Sequence, residues 1–115
     1  MNRNFRLTQS TDFKRVRRSG KSYAHPLVVL VVLPAEGEMT RFGVTAGKAV
    51  GKAVQRNKAK RLLREALRPL LPGIKPGWKV ILIARNPILT ASFVEIQACL
   101  RQLFTRSKLL IDGNG

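Results

Sequence analysis

The side chains best placed by type and spacing to do chemistry lie between Val54 and Arg68, in the run V-Q-R-N-K-A-K-R-L-L-R-E-A-L-R. That chemistry is anion binding. At the helical period Asn57, Lys60, Arg61, Arg64 and Arg68 fall within an arc of about 100°. Ala59, Leu62, Leu63, Ala66 and Leu67 take the opposite side as one buried stripe. Like charges on one face cost a helix stability unless something anionic lies against them. Glu65 is the one counter-charge in the run, and Arg61, four residues before it, gives the weaker orientation of such a pair. Arginine outnumbers lysine on this face, and a guanidinium has the two-pronged geometry that phosphate favours. Asn57 can both donate and accept, so a ribose, a base edge or a hydrated metal is within its chemistry. A charge run is commonly no more than a solvated face; the scarcity of acid here favours phosphate binding.

Bond cleavage is harder to assemble. The acids are Asp12, Glu36, Glu38, Glu65, Glu95 and Asp112, scattered over separate segments, whereas a metal nuclease clusters its carboxylates around cations. Glu36 and Glu38 have strand-like spacing but read as a solvated hairpin loop. His25 is the only imidazole, so neither a His pair nor a catalytic triad can be built. Cys99 reads as a small core residue. There is no Walker loop, dinucleotide fingerprint or zinc spacing. The expectation is no catalytic residue, no metal site, no small-molecule substrate and no cofactor held by the chain itself.

Charge and length limit the partners. The 115 residues suit one domain, 1–115, and a hydrophobic fraction of 44% is ordinary for a folded protein. The balance of 22 Lys plus Arg against 6 Asp plus Glu, net +16, draws polyanions: nucleic acid first, an anionic membrane surface second. The longest apolar run, Leu27 to Leu33, is too short to span a bilayer, and the N-terminus lacks a signal-peptide core. One cysteine excludes an internal disulfide framework. A soluble, cytoplasmic protein is expected.

The elements that must position these groups follow from the punctuation. A short helix is predicted over Thr8 to Arg18, capped by Thr8 or Ser10 and stopped by Gly20, with Phe13 and Val16 on one side among Lys14, Arg15, Arg17 and Arg18. Leu27 to Leu33, between Pro26 and Pro34, reads as a buried strand, with Lys21 to His25 a candidate edge strand before it. Ala35 to Thr40 is a loop and Arg41 to Ala46 a second strand. Gly47 and Gly51 bracket a turn into the basic helix, placed from Lys52 to Leu71. Pro72 to Gly77 is a loop, Trp78 to Ala84 a strand. A last helix starts near Ser92, with capping-box spacing to Glu95 and apolar repeats at Phe93, Ile96, Leu100, Leu103 and Phe104. The tail 112–115 is expected to be flexible. The order α-β-β-(β)-α-β-α describes an α/β (α+β) two-layer sandwich, about four strands in one mixed sheet with three helices.

Phe13 has two readings. A Phe on a short helix is ordinarily core, and the residues alone favour that; an aromatic among cations also serves as a stacking platform for an unpaired base.

R-N-K-A-K-R-L-L-R-E-A-L-R (Arg56 to Arg68) resembles the signature helix of a known family, the protein component of bacterial ribonuclease P. G-V-T-A-G-K-A-V-G-K-A-V (Gly43 to Val54) is similar to the strand and turn before that helix. Asp12 to Ser22 resembles the family's N-terminal segment, and V-I-L-I-A-R-N-P (Val80 to Pro87) the strand before its last helix. The blocks keep their order and spacing over roughly Phe5 to Leu110. The resemblance implies a left-handed βαβ crossover, against the general rule. It implies partnership, as a monomer, with a catalytic RNA that uses Mg²⁺ to remove the 5′ leader from precursor tRNA, with no membrane involved. The matching RNA-contact positions are Arg56, Asn57, Lys58, Lys60, Arg61, Arg64 and Arg68, with Lys58 in the place of a second arginine. The matching leader-cleft positions are Phe13, Arg17, Val29, Val31 and Lys48, which turns the reading of Phe13 toward the cleft. Arg17 and Val31 stand where aromatics are common in the family, and Ala49 where a lysine is frequent. Leader binding then depends less on stacking and more on charge. A structural ribosomal or nucleoid-type binder without a role in cleavage is the alternative.

Overall fold

The computed structural model describes residues 10–35, 37 and 39–111, with backbone alone at 10–12. Thr8, the side chains of Ser10 and Asp12, Glu36, Glu38, and the tail from Asp112 therefore lie outside the described residues. Helix α1 (Ser10–Ser19) stops at Gly20 and leads into strand β1 (Lys21–Ala24), which turns into β2 (Val28–Pro34). Strand β3 (Arg41–Ala46), helix α2 (Ala53–Leu67), strand β4 (Trp78–Ala84) and helix α3 (Phe93–Arg106) follow. The edge strand at Lys21 is thus real, and β3 and β4 have the predicted bounds.

The four strands form one mixed sheet in the order β1-β2-β4-β3. β2 is antiparallel to both β1 and β4, while β3 and β4 run parallel and α2 is the crossover between them. Alternation along the strands makes two unlike faces. On one, Val28, Leu30, Val32, Phe42, Val80 and Leu82 meet Ala59, Leu63, Ala66 and Leu67 of α2 and Ile96, Cys99, Leu100, Leu103 and Phe104 of α3. At about 1.5–3 kcal/mol for each fully buried large apolar side chain, this cluster is what opposes the repulsion of the surface charge. Helix α1 lies across the other face, where Val16 packs on Val31 and Ile81, flanked by Phe13, Val29, Leu33 and Ile83.

Polar groups tie the edges. Thr40 is buried and satisfied: its hydroxyl donates to the Lys75 carbonyl at 2.5 Å and accepts the Trp78 N–H at 3.3 Å, joining the start of β3 to the start of β4. Arg106 Nη1 donates to the Ala24 carbonyl at 2.9 Å, and Arg106 Cζ lies 5.9 Å from the centre of the Tyr23 ring, with Lys21 Nζ 5.5 Å from the same centre. Ser92 caps α3 as its spacing predicts: its Oγ accepts the Glu95 N–H at 3.1 Å and Glu95 Oε1 accepts the Ser92 N–H at 2.9 Å.

Two expectations need correction. The α-helical part of the basic segment stops at Leu67, short of Leu71, and Arg68–Gly73 continues as a 3₁₀ turn. Pro69 has no N–H with which to extend the α-helical ladder, and its fixed φ suits the opening of a new turn. Phe93, on the apolar side of α3 by its spacing, is 39% exposed, because as the first residue of the helix it lies at the end of the packed stripe; Cys99 is in the core as expected.

Candidate nucleic-acid interface

The basic helix is held by its stripe of Ala59, Leu63, Ala66 and Leu67, which leaves Asn57, Lys58, Arg61 and Arg68 exposed and Lys60 and Arg64 half-exposed along its outer side. Its first turn contains no acid, so the positive end of the helix dipole adds to these cations. Val54 stands beside them, 81% exposed. Arg56 is set apart. One residue back from Asn57 is about 100° around the helix, on the side of Leu63 and Leu67. It is half-buried there, and its Nε has no hydrogen-bond partner among the described residues.

The turn into α2 is built tightly. Val50 is buried and its N–H donates to the Gly47 carbonyl at 3.0 Å, while the Gly51 N–H donates to the Lys48 carbonyl at 3.1 Å. Gly51 has φ +144°, a conformation that L side chains rarely adopt, and the Gln55 side chain fills the space a β-carbon would need. That same Gln55 accepts the Lys52 N–H at 2.8 Å. From the end of β4, Asn86 Nδ2 donates to the carbonyls of Val50 at 3.2 Å and Ala49 at 3.4 Å. Lys48 is therefore an exposed cation on a pinned turn.

On the opposite side of the sheet, α1 crosses the strands and divides the face. Val31, Ile81 and Gly43 are in register across β2, β4 and β3, and this middle row lies beneath α1. Val31 was expected in the cleft; it is 3% exposed under Val16, so it supports the helix and offers no surface of its own. Phe13 lies over Gly43 and is half-buried. The next row, Val29, Ile83 and Thr45, is partly exposed and leads to the turn that carries Lys48. Arg15 lines a groove with Leu33, Pro34 and Lys79 at the far ends of β2 and β4, so Arg17, about 200° around α1 from it, lies on the flank toward the Val29 row. Among the described residues Phe13, Arg17, Val29 and Lys48 thus lie toward one uncovered half of the face, and the α2 cations lie behind the sheet from it. Arg85 and Lys52 were not singled out from the sequence. Both are exposed at the same sheet end, where the Arg85 N–H donates to the Leu27 carbonyl at 2.9 Å. An Arg directly after a buried strand was the available signal for Arg85.

The remaining candidates for chemistry are accounted for structurally. His25 Nδ1 accepts the Leu27 N–H at 3.1 Å in the β1–β2 turn. Cys99 is in the core, and burial pushes its thiol up to about 11. Among the described residues no group of three or more His, Cys, Asp or Glu is placed to hold a metal, and no helix is long and apolar enough to cross a membrane.

Comparison with known proteins decides the lineage. The family model for Ribonuclease P matches residues 1–108. The chain belongs to the ribonuclease P protein family. The ribonuclease P protein component of Herpetosiphon aurantiacus is 42% identical over 97% of this chain and 91% of its own length, and that of a Roseiflexus species 37% identical over 96% and 91%. In three dimensions the ribonuclease P protein of Staphylococcus aureus superposes with a TM-score of 0.82 at 30% identity, covering 92% of this chain and 97% of that one. The Thermotoga maritima ribonuclease P protein does so with a TM-score of 0.78 at 28% identity, covering 88% and 96%. Membership of this family makes the chain the protein component of the ribonuclease P ribonucleoprotein, an endoribonuclease of tRNA processing, with the ribonuclease P RNA as its partner.

Proposed function

We propose that the two surfaces divide the work of a ribonucleoprotein subunit. The outer side of α2 docks on the catalytic RNA through Asn57, Lys58, Lys60, Arg61, Arg64 and Arg68, and Arg56, half-buried with its Nε unpartnered among the described residues, adds a contact at the start of the helix. The half-face beside α1 takes the single-stranded 5′ leader of precursor tRNA. There the Phe13 ring stacks on a base, Val29 forms the apolar floor beside the buried Val31, and Arg17 and Lys48 meet phosphates. Cleavage is the work of the RNA with Mg²⁺; the protein contributes binding and screening of phosphate repulsion and no catalytic group. The chain acts as a monomer in this assembly.

The observation that carries this reading is the separation of the surfaces. A face of closely spaced cations and a half-sheet bearing the Phe13 ring lie on opposite sides of a single sheet, which suits two different RNA elements. Charge-dominated contact is the usual mode for folded RNA, and stacking with charge the mode for single strands. Reconstitution tests it. Adding the chain to the ribonuclease P RNA is expected to enhance precursor-tRNA cleavage at low Mg²⁺, while the chain alone cleaves nothing. RNA binding without enhancement would leave only a structural nucleic-acid binder.

A further inference from the structure

We propose that the groove between α2 and α3 takes one unpaired base of the ribonuclease P RNA, read by the Gln97 carboxamide. This rests on the α2 cations docking on that same RNA.

On α3, Val94, Gln97, Ala98 and Arg101 have the spacing of one helix face. That face is turned toward α2, where Ala66 and the following Pro69 and Leu70 stand across from it, and the two sides form a groove of about 310 Å³. Val94 is 72% exposed. A lone exposed valine is ordinary, but this one joins Ala98, Pro69 and Leu70 in an apolar surface that no other part of the fold covers. The Gln97 carboxamide lines the same groove without a hydrogen-bond partner among the described residues.

The surroundings select the occupant. A docked helix would be about 10–12 Å across, too bulky for this volume, which lies at the small end of sites for a single ring system. The groove is on the α2 side of the sheet and adjoins the cation face, since exposed Arg68 directly precedes Pro69. Arg61, Arg68 and Arg101 outweigh Glu65, the acid on that side of α2, which does not line the groove. A phosphate-bearing partner fits that balance, and an RNA lying along α2 reaches the groove without leaving the protein. The free carboxamide offers a donor and an acceptor side by side, the pair that meets the edge of a base. Arg101, one turn further along α3, is placed for the phosphate of the same nucleotide.

The test measures binding of the full chain to the ribonuclease P RNA, with chemical probing of the RNA's unpaired bases. Gln97→Ala keeps a good helix former in place and is expected to weaken binding by about three- to tenfold, as loss of a hydrogen bond does. The salt slope should stay the same, because no phosphate contact is removed. Ala98→Phe fills the groove from an exposed position and should weaken binding in the same way. In both variants one unpaired base that the unaltered chain protects should become reactive, while protection elsewhere persists. Should Ala98→Phe lower stability in urea, Gln97→Ala alone decides. Unchanged affinity and protection overturn the groove, as does weakening that releases no particular base. The Arg61→Ala, Arg64→Ala double variant separates the two ideas. If it weakens binding while Gln97→Ala and Ala98→Phe do not, only the groove fails; if it binds as the unaltered chain does, the α2 assignment beneath it fails.

Discussion

The Phe13 ring lies on the backbone of Gly43, in the space any β-carbon at position 43 would occupy. This contact docks α1 on β3, an edge strand of the sheet, with the tip of the ring against Gly43. Alanine at 43 is expected to destabilise the fold by about 1–3 kcal/mol through overpacking and to displace the ring. Precursor-tRNA affinity of the holoenzyme should fall while affinity for the ribonuclease P RNA is retained. A Gly43→Ala, Phe13→Leu double variant should regain stability in urea titration without regaining substrate affinity. Unchanged affinity in Gly43→Ala would show that the ring does not act from this position.

Replacing Arg61 and Arg64 by Ala should weaken binding to the ribonuclease P RNA and flatten its dependence on salt, by roughly one unit of log–log slope or less for each phosphate contact removed. Filter-binding across a salt series reads this directly. An unaltered slope would mean that the outer side of α2 faces only water.

Asn86→Ala should free the turn that carries Lys48. With the Val50 and Ala49 carbonyls released, amide exchange at Val50 and Gly51 is expected to rise, and the holoenzyme to lose affinity for precursor tRNA more than for its own RNA. Unchanged exchange at those two amides would count against the clamp.

The cap of α3 makes a prediction with pH. Ser92→Ala should cost about 1 kcal/mol at neutral pH. The backbone N–H and side chain of Ser92 hold the Glu95 carboxyl below its ordinary value near 4.5. A carboxyl lowered in the folded state stabilises at pH above its unfolded value, and that contribution is lost as pH falls through the folded one. Glu95→Gln should therefore remove part of the loss of stability expected below pH 4.5. Parallel acid limbs for the two proteins in urea titrations would refute this.

How much could be read beforehand depended on whether a feature was local. β3 and β4 were legible to the residue because glycine and proline punctuate β-rich runs, and the Ser92–Glu95 cap because its partners are three residues apart. The end of α2 was not. Pro69 both forbids a further α-helical bond and opens a 3₁₀ turn, and periodicity alone cannot choose between them. Phe93 fitted the apolar repeat, yet a repeat does not say which end residue clears the core. The α2 cations could be grouped from spacing, but the half-burial of Arg56 depends on what α2 packs against. Gly43 under Phe13 and Val31 beneath Val16 are contacts between distant segments, and nothing in either segment announces the other. The leader cleft therefore came from family resemblance, and the division of the face by α1 only from the fold.

Strand β4 sits between β2 and β3 although it is made after both. As the chain is synthesised, the β1–β2 hairpin and β3 have no common neighbour until residues 78–84 emerge. The basic helix is by then already complete, with its apolar stripe uncovered. Assembly of the sheet is thus one late event that closes long loops at once, a slow kind of folding for a chain of this length. A chain ending before Trp78 would retain a hairpin and a charged helix with nothing to join them. Such a fragment can still attract RNA by charge, but it has no floor beneath α1 on which to sort one strand from another.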